Sequence, residues 1–112
     1  MSEYLYIFGY EAPVQRLAND KHGWDDEASY AFFIEAETTE QALLWGREVS
    51  EEFFRYVYQK SGWDGPLPSW KEDRYGYWIE DDPETIAQAR QGGSPRIAVG
   101  EIPDFSKCPR IP

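Results

Sequence analysis

His22 is the only imidazole in this 112-residue chain, and carboxylates flank it at Asp20 and Asp25. A histidine beside a carboxylate can act as general base for a serine such as Ser29 or Ser61, if the fold brings the hydroxyl within hydrogen-bond reach. Glu35 and Glu80, each near an expected strand end, form a second acid–base candidate, which needs a suitable separation and unequal pKa values. Asp25, Asp26 and Glu27 offer oxygens to a hard cation. They lack the alternating ligand spacing of a calcium loop, and three consecutive side chains converge only around a turn. His22 and Cys108 are the sole imidazole and thiol, too few for a structural zinc site. Gly92-Gly93-Ser94-Pro95 has neither the lysine nor the strand-to-helix setting of a phosphate loop. No catalytic residue is assigned on these grounds, and neither a cofactor nor a metal is expected.

A stronger pattern is the pentapeptide Lys-x-Gly-Trp-Asp, present at Lys21-His22-Gly23-Trp24-Asp25 and again at Lys60-Ser61-Gly62-Trp63-Asp64. Glycine can turn the chain through the left-handed region, tryptophan can fold back over the preceding element, and aspartate can accept local backbone hydrogen bonds. The alternative is functional: two indole-bearing loops form part of a recognition surface, because tryptophan concentrates binding energy when it enters a partner's pocket. Five residues repeated once do not establish a duplicated domain.

Around these motifs the chain is acidic and aromatic. It carries 21 Asp and Glu against 11 Lys and Arg, a net charge of -10, together with 5 Trp, 8 Tyr and 6 Phe. The charge opposes direct contact with nucleic acid or an anionic membrane and favours a basic protein partner. Acids cluster at Asp20, Asp25, Asp26, Glu27, Glu35, Glu37 and Glu40, and again at Glu72, Asp73, Glu80, Asp81, Asp82 and Glu84. Arg90, Arg96, Lys107 and Arg110 form at most a local basic patch. The aromatic content argues against disorder. A lone Cys108 fits a reducing compartment, and the first residues lack a basic segment followed by an apolar run, so a cytoplasmic location is expected.

The elements that must position these groups follow from periodicity and punctuation. Tyr4 to Phe8 reads as a first strand, Ala28 to Ala36 as a second with Tyr30, Phe32 and Ile34 on one face, Arg74 to Glu80 as a third and Arg96 to Gly100 as a fourth. Between the first two strands, Val14 to Ala18 offers at best a turn and a half. Thr38 with Gln41 three residues on forms a capping box opening a helix that runs to about Lys60, with an apolar stripe of Ala42, Trp45, Val49, Phe53 and Tyr56, widened by Leu43, Gly46, Phe54 and Val57, and a terminator at Gly62. Asp82 caps a short helix with Pro83 in its first turn, stopped by Gly92-Gly93. The expectation is one domain over 1–112 with an irregular tail from about 102. Its fold is α+β: a two-layer sandwich in which a mainly antiparallel four-stranded sheet is packed by one long and one short helix.

The leading functional expectation is a noncatalytic domain that presents Trp24, Asp25, Asp26, Glu27, Trp63 and Asp64 to a basic protein partner. One concrete form is an inhibitor or immunity protein that occupies the phosphate-binding groove of a nucleic-acid-binding enzyme. A small carboxylate-based or metal-dependent enzyme is one alternative. A structural subunit that self-associates as a homo-oligomer is another.

Overall fold

The structure, a computed structural model, describes residues 2–108. In chain order the elements are β1 (Ser2–Tyr10), α1 (Pro13–His22), β2 (Ala28–Ala36), α2 (Thr39–Lys60), β3 (Tyr77–Glu80), α3 (Pro83–Gln91) and β4 (Arg96–Ala98), followed by a 3-10 turn at Phe105–Lys107. The strands form one sheet in the order β3-β1-β2-β4. β1 runs antiparallel to β2 and to β3, whereas β2 and β4 are parallel. The fold is therefore α+β with a mixed sheet, two of whose three strand pairings are antiparallel, and with three helices, one more than the long and short pair expected.

Alternation along the strands creates two different faces. Tyr6, Phe8 and Tyr10 of β1, with Tyr30, Phe32 and Ile34 of β2, bury themselves under Ala42, Val49, Phe53 and Val57 of α2. The Phe53 ring meets Phe8 edge-on at 5.3 Å and Tyr10 at 5.0 Å, the arrangement that ring quadrupoles favour. Leu5 and Phe33 point the other way and are also buried. On that side the Arg90 guanidinium of α3 lies 4.7 Å over the Phe33 ring. α3 thus carries the chain between the two edges of the sheet across the face opposite α2. The expected second layer is joined by a thin third one, in which α3 itself contributes no buried residue.

The long helix begins as its capping box requires. Thr38 Oγ1 accepts from the Gln41 N–H at 3.1 Å, and Gln41 Oε1 accepts from the Glu37 N–H at 3.1 Å. Of its expected stripe, Ala42, Gly46, Val49, Phe53, Phe54 and Val57 are buried while Leu43, Trp45 and Tyr56 sit half-buried at the border, and Ser50 and Tyr58 are buried beside them. α1 corrects the sequence reading more fully, running for 10 residues from Pro13 in its first turn to Gly23 at φ 71°. β3 begins at Tyr77 rather than Arg74, and β4 ends at Ala98 rather than Gly100. In the tail, Phe105 is buried 5.6 Å from Phe53 while Ile102 stays exposed. Pro109, Arg110 and Pro112 lie outside the described residues.

α2 comes closest to the sheet at Gly46. A Cβ there would lie 2.4 Å from two ring atoms of Tyr6. Ser50 Oγ donates to the Gly46 carbonyl at 2.9 Å, so in its 2.8 Å contact with Tyr6 it accepts the phenol's proton. Burial pushes the Tyr6 hydroxyl well above the usual tyrosine range, because a phenolate has no place in that environment. Gly46→Ala adds about 1 kcal/mol of helix propensity but overpacks the Tyr6 ring, a cost of about 1–3 kcal/mol or more at so short a distance. The variant is expected to unfold at lower urea concentration than the parent; equal or higher stability would contradict this packing.

Candidate functional site

Both copies of the repeated pentapeptide are helix stops. Gly23 and Gly62 adopt φ 71° and 73°. The Gly23 and Trp24 amides donate back to the Asn19 carbonyl, and the Gly62 and Trp63 amides donate to the carbonyls of Gln59 and Tyr58. The local backbone is shared, but the indoles have different surroundings. Trp63 folds back edge-on against Tyr58 at 4.9 Å and packs at the border of the core. Trp24 is 55% exposed, and its one ring partner is His22, stacked at 4.3 Å.

α1 separates two concavities. On one side Val14 and Leu17, 80% and 60% exposed, join Trp63 and Asp64 around an apolar groove of about 350 Å³. On the other, Asn19, Asp20, Trp24, Asp25 and Glu27 meet Glu11 and the Asp73–Tyr75 segment around a polar pocket of about 340 Å³. The structure thus brings Trp24, Asp25 and Glu27 together and places Trp63 and Asp64 on the far side of the same helix. Asp26 contributes its carbonyl, which accepts from Asn19 Nδ2 at 2.9 Å, while its side chain faces solvent.

Glu11, which follows β1, organises the pocket. Its carboxylate accepts from Asn19 Nδ2 at 2.6 Å and from the Tyr75 hydroxyl at 2.9 Å, and its carbonyl accepts from the Tyr58 hydroxyl at 2.7 Å. Arg16 Nη1 stands 3.5 Å from Asp73 and 3.9 Å from Glu11, at ion-pair rather than hydrogen-bond distances. Burial, then the bond to the Glu11 carboxylate, pushes the Tyr75 hydroxyl up. Glu27 lies over Gly9 of β1. Burial, followed by the negative charges of Glu11 and Asp25, holds its carboxyl above the ordinary value. Glu11, Asn19, Asp73 and Tyr75 escaped sequence reasoning because they converge only in the fold. The one local signal was Pro13 at the start and Gly23 at the end of a helix, a frame that makes Asn19 helical and turns it inward.

The other candidates are dispersed. Glu80 sits opposite Leu5 on edge strand β3, and Glu35 lies on β2 with β1 between them, about 10 Å away by strand spacing alone. Glu80 is engaged with the backbone amides of Asp81 and Asp82 at 3.2 and 3.3 Å, so the two glutamates do not form a working pair. The Ser61 hydroxyl donates to the Tyr58 carbonyl, and Ser29 lies on β2 beneath α3; neither stands in a pocket with His22. Among the described residues, no three His, Cys, Asp or Glu side chains are grouped closely enough to hold a metal ion, so Asp25, Asp26 and Glu27 do not converge as ligands. Asp82 caps α3 through Thr85. Arg90 and Arg96 both bind Glu3 at 2.8 Å, which removes them from the expected basic patch; Arg110 lies outside the described residues. Burial works to raise the Glu3 carboxyl, but the bonds from Arg96 and Arg90 outweigh it and hold the carboxyl low.

Compared with known proteins, the chain matches no family model, no curated protein and no solved structure. Among the described residues, no helix is long and apolar enough to cross a membrane.

The two tryptophans should respond differently to truncation. Trp63→Ala removes a half-buried ring and is expected to cost about 2 kcal/mol, whereas Trp24→Ala should change stability by no more than about 0.5 kcal/mol; urea unfolding of the two variants decides. Because the folded state holds a proton on Glu27 more tightly than the unfolded chain does, this residue's contribution to stability is fully present below the unfolded pKa of about 4.3. It is lost as pH rises through the folded pKa. Glu27→Gln should therefore raise the melting temperature at pH 7, by an amount worth less than about 1 kcal/mol given solvent screening, and the advantage should disappear below about pH 4.

Proposed function

We propose that this chain is a noncatalytic binding module that engages a basic protein surface through the corner built on α1. The observation that carries this reading is the pairing of exposed apolar side chains with carboxylates on one short helix and the loop that follows it. Trp24, Leu17 and Val14 are all more than half exposed, and Asp20, Asp25 and Glu27 line the pocket beside Trp24. Carboxylates steer a basic partner and set its orientation, while desolvated rings and aliphatic groups hold it once docked. A chain of net charge -10 suits an inhibitor or immunity protein that covers the basic groove of a nucleic-acid-binding enzyme in the cytoplasm.

A second reading, self-association, draws on Leu44, Val99 and Ile102, which are 56%, 46% and 45% exposed around Trp45 on the outer side of α2. The like charge of two copies opposes it.

The test is to recover partners from extract of the source organism, identify them by mass, and measure affinity for the purified pair. Under the leading reading, affinity falls steeply as salt rises from about 0.05 to 0.5 M. The double variant Asp25→Lys/Glu27→Lys and the single variant Leu17→Ser each weaken binding by about tenfold or more. A partner indifferent to salt and to both variants would overturn the reading. Sedimentation that shows a dimer abolished by Leu44→Lys would favour the second.

A further inference from the structure

The geometry points to a guanidinium site in the pocket beside Trp24, one that receives an arginine side chain of the basic partner. This deepens the proposed function and rests on it.

Two independent observations converge there. First, the acids around the pocket are not all neutralised. Glu11 is engaged with Asn19, Tyr75 and Arg16, and Asp73 with Arg16, but among the described residues Asp20, Asp25 and Glu27 form no ion pair, and they outnumber Arg74, the cation on the rim. Second, Asn19, which lines the same pocket, is only 4% exposed, and its Oδ1 has no hydrogen-bond partner. Its Nδ2 already donates to Glu11 and to the Asp26 carbonyl. Turning the amide over would set Oδ1 against the Glu11 carboxylate, so the orientation is fixed and the acceptor remains unmet. A buried acceptor without a donor costs about 1–3 kcal/mol, and a ligand rich in N–H groups relieves it. Oδ1 is closed off from solvent in the free protein, so the ligand meets it only as the rim opens, and the exposed side chains of Asp25 and Glu27 on that rim are free to turn toward the ligand.

The pocket distinguishes guanidinium from ammonium by shape. A guanidinium is planar, carries five N–H donors, and can stack on an indole while it bonds carboxylates edge-on. Trp24 offers the exposed ring, and the carboxylates and Asn19 Oδ1 offer the acceptors. An ammonium would satisfy the charge but not the stack. Burial, with the charges of Glu11 and Asp25, holds the Glu27 carboxyl above its ordinary value, and a cation entering the pocket opposes that shift.

The test uses three peptide probes, hexa-arginine, hexa-lysine and hexa-citrulline, against the intact chain, with affinity from calorimetry and the contact from NMR shifts of the Asn19 side-chain amide and the Trp24 indole. Hexa-arginine is expected to bind at least about tenfold more tightly than either other probe, and to move both signals. Asp25→Asn/Glu27→Gln should abolish that preference, whereas the control Asp81→Asn/Asp82→Asn/Glu84→Gln, on an acidic segment elsewhere on the surface, should leave it. All five of these positions are exposed or close to it, and folding of each variant is checked by circular dichroism. Equal binding of arginine and lysine peptides would overturn the site, as would an equal effect of the control. A native partner that needs Leu17 but ignores Asp25→Asn/Glu27→Gln would sink the guanidinium site while leaving the proposed function standing. Arginine-selective binding together with a salt-indifferent native partner would do the reverse.

Discussion

The fold depends on how closely α2 can approach β1, and Gly46 sets that distance. The Tyr6 ring occupies the volume that any side chain at Gly46 would need. The phenol donates a hydrogen bond to Ser50, which donates its own to the Gly46 carbonyl. Ser50 and the Tyr6 hydroxyl are thus admitted to an otherwise apolar layer only because each is satisfied by the other, as burial of polar groups demands. From that contact the rest of the helix is levered onto the sheet. Phe53 comes down among Phe8, Tyr10 and Phe32, whose rings it meets edge-on, and Tyr30, on whose ring it stacks.

The polar ends of these aromatics carry order outward to the α1 corner. Trp70 Nε1 donates to the Gly9 carbonyl, Tyr58 to the Glu11 carbonyl, and Tyr75 to the Glu11 carboxylate. Three donors from α2 and the following segment therefore clamp the end of β1, where α1 departs. α1 itself has only Pro13 and Asn19 buried, too little apolar surface to hold a helix of this length by packing. Its stability comes from the clamp at Glu11, from the Asn19 bonds, and from the Gly23 stop. The arrangement leaves Val14 and Leu17 facing solvent, which would be poor design for a helix whose only task was to close the core.

What was legible in the sequence was whatever depended on neighbours along the chain. β2 and α2 have the expected bounds because alternation from Ala28 to Ala36 and the Thr38–Gln41 box are local signals. The Asp82–Pro83 start of α3 is of the same kind. The parallel pairing of β2 with β4 was not legible, since the three residues Arg96–Ala98 carry no mark of direction. Arg74 and Tyr75 read as strand by composition, yet they stay outside β3 because the Tyr75 hydroxyl is drawn to Glu11, a partner 64 positions away. α1 was underestimated because Asn19 and Asp20 are weak helix formers; the hydrogen bonds that retain Asn19 are tertiary. The acidic cluster of the sequence likewise divided according to contacts that no spacing reveals: Asp20, Asp25 and Glu27 entered a pocket, Glu35 went to the other end of β2, opposite Glu3, and Asp26 kept only its carbonyl in play.

The distribution of charge follows from the same contacts. Glu3 is held low by two arginines, Asp82 by Thr85 and Asp104 by Ser106, each carboxylate being stabilised where it stands. Glu27 is pushed the other way. Carboxylates on a convex surface are screened by dissolved salt over about 8–10 Å at physiological ionic strength, but those gathered in a cleft with protein walls reinforce one another's field. A chain this acidic can fold because most of its charge is either spread out or tied to donors. At the α1 corner Glu11 and Asp73 are tied to donors as well, but Asp20, Asp25 and Glu27 line the same pocket beside an exposed indole, and their mutual repulsion is the local cost that the proposed cationic partner would relieve.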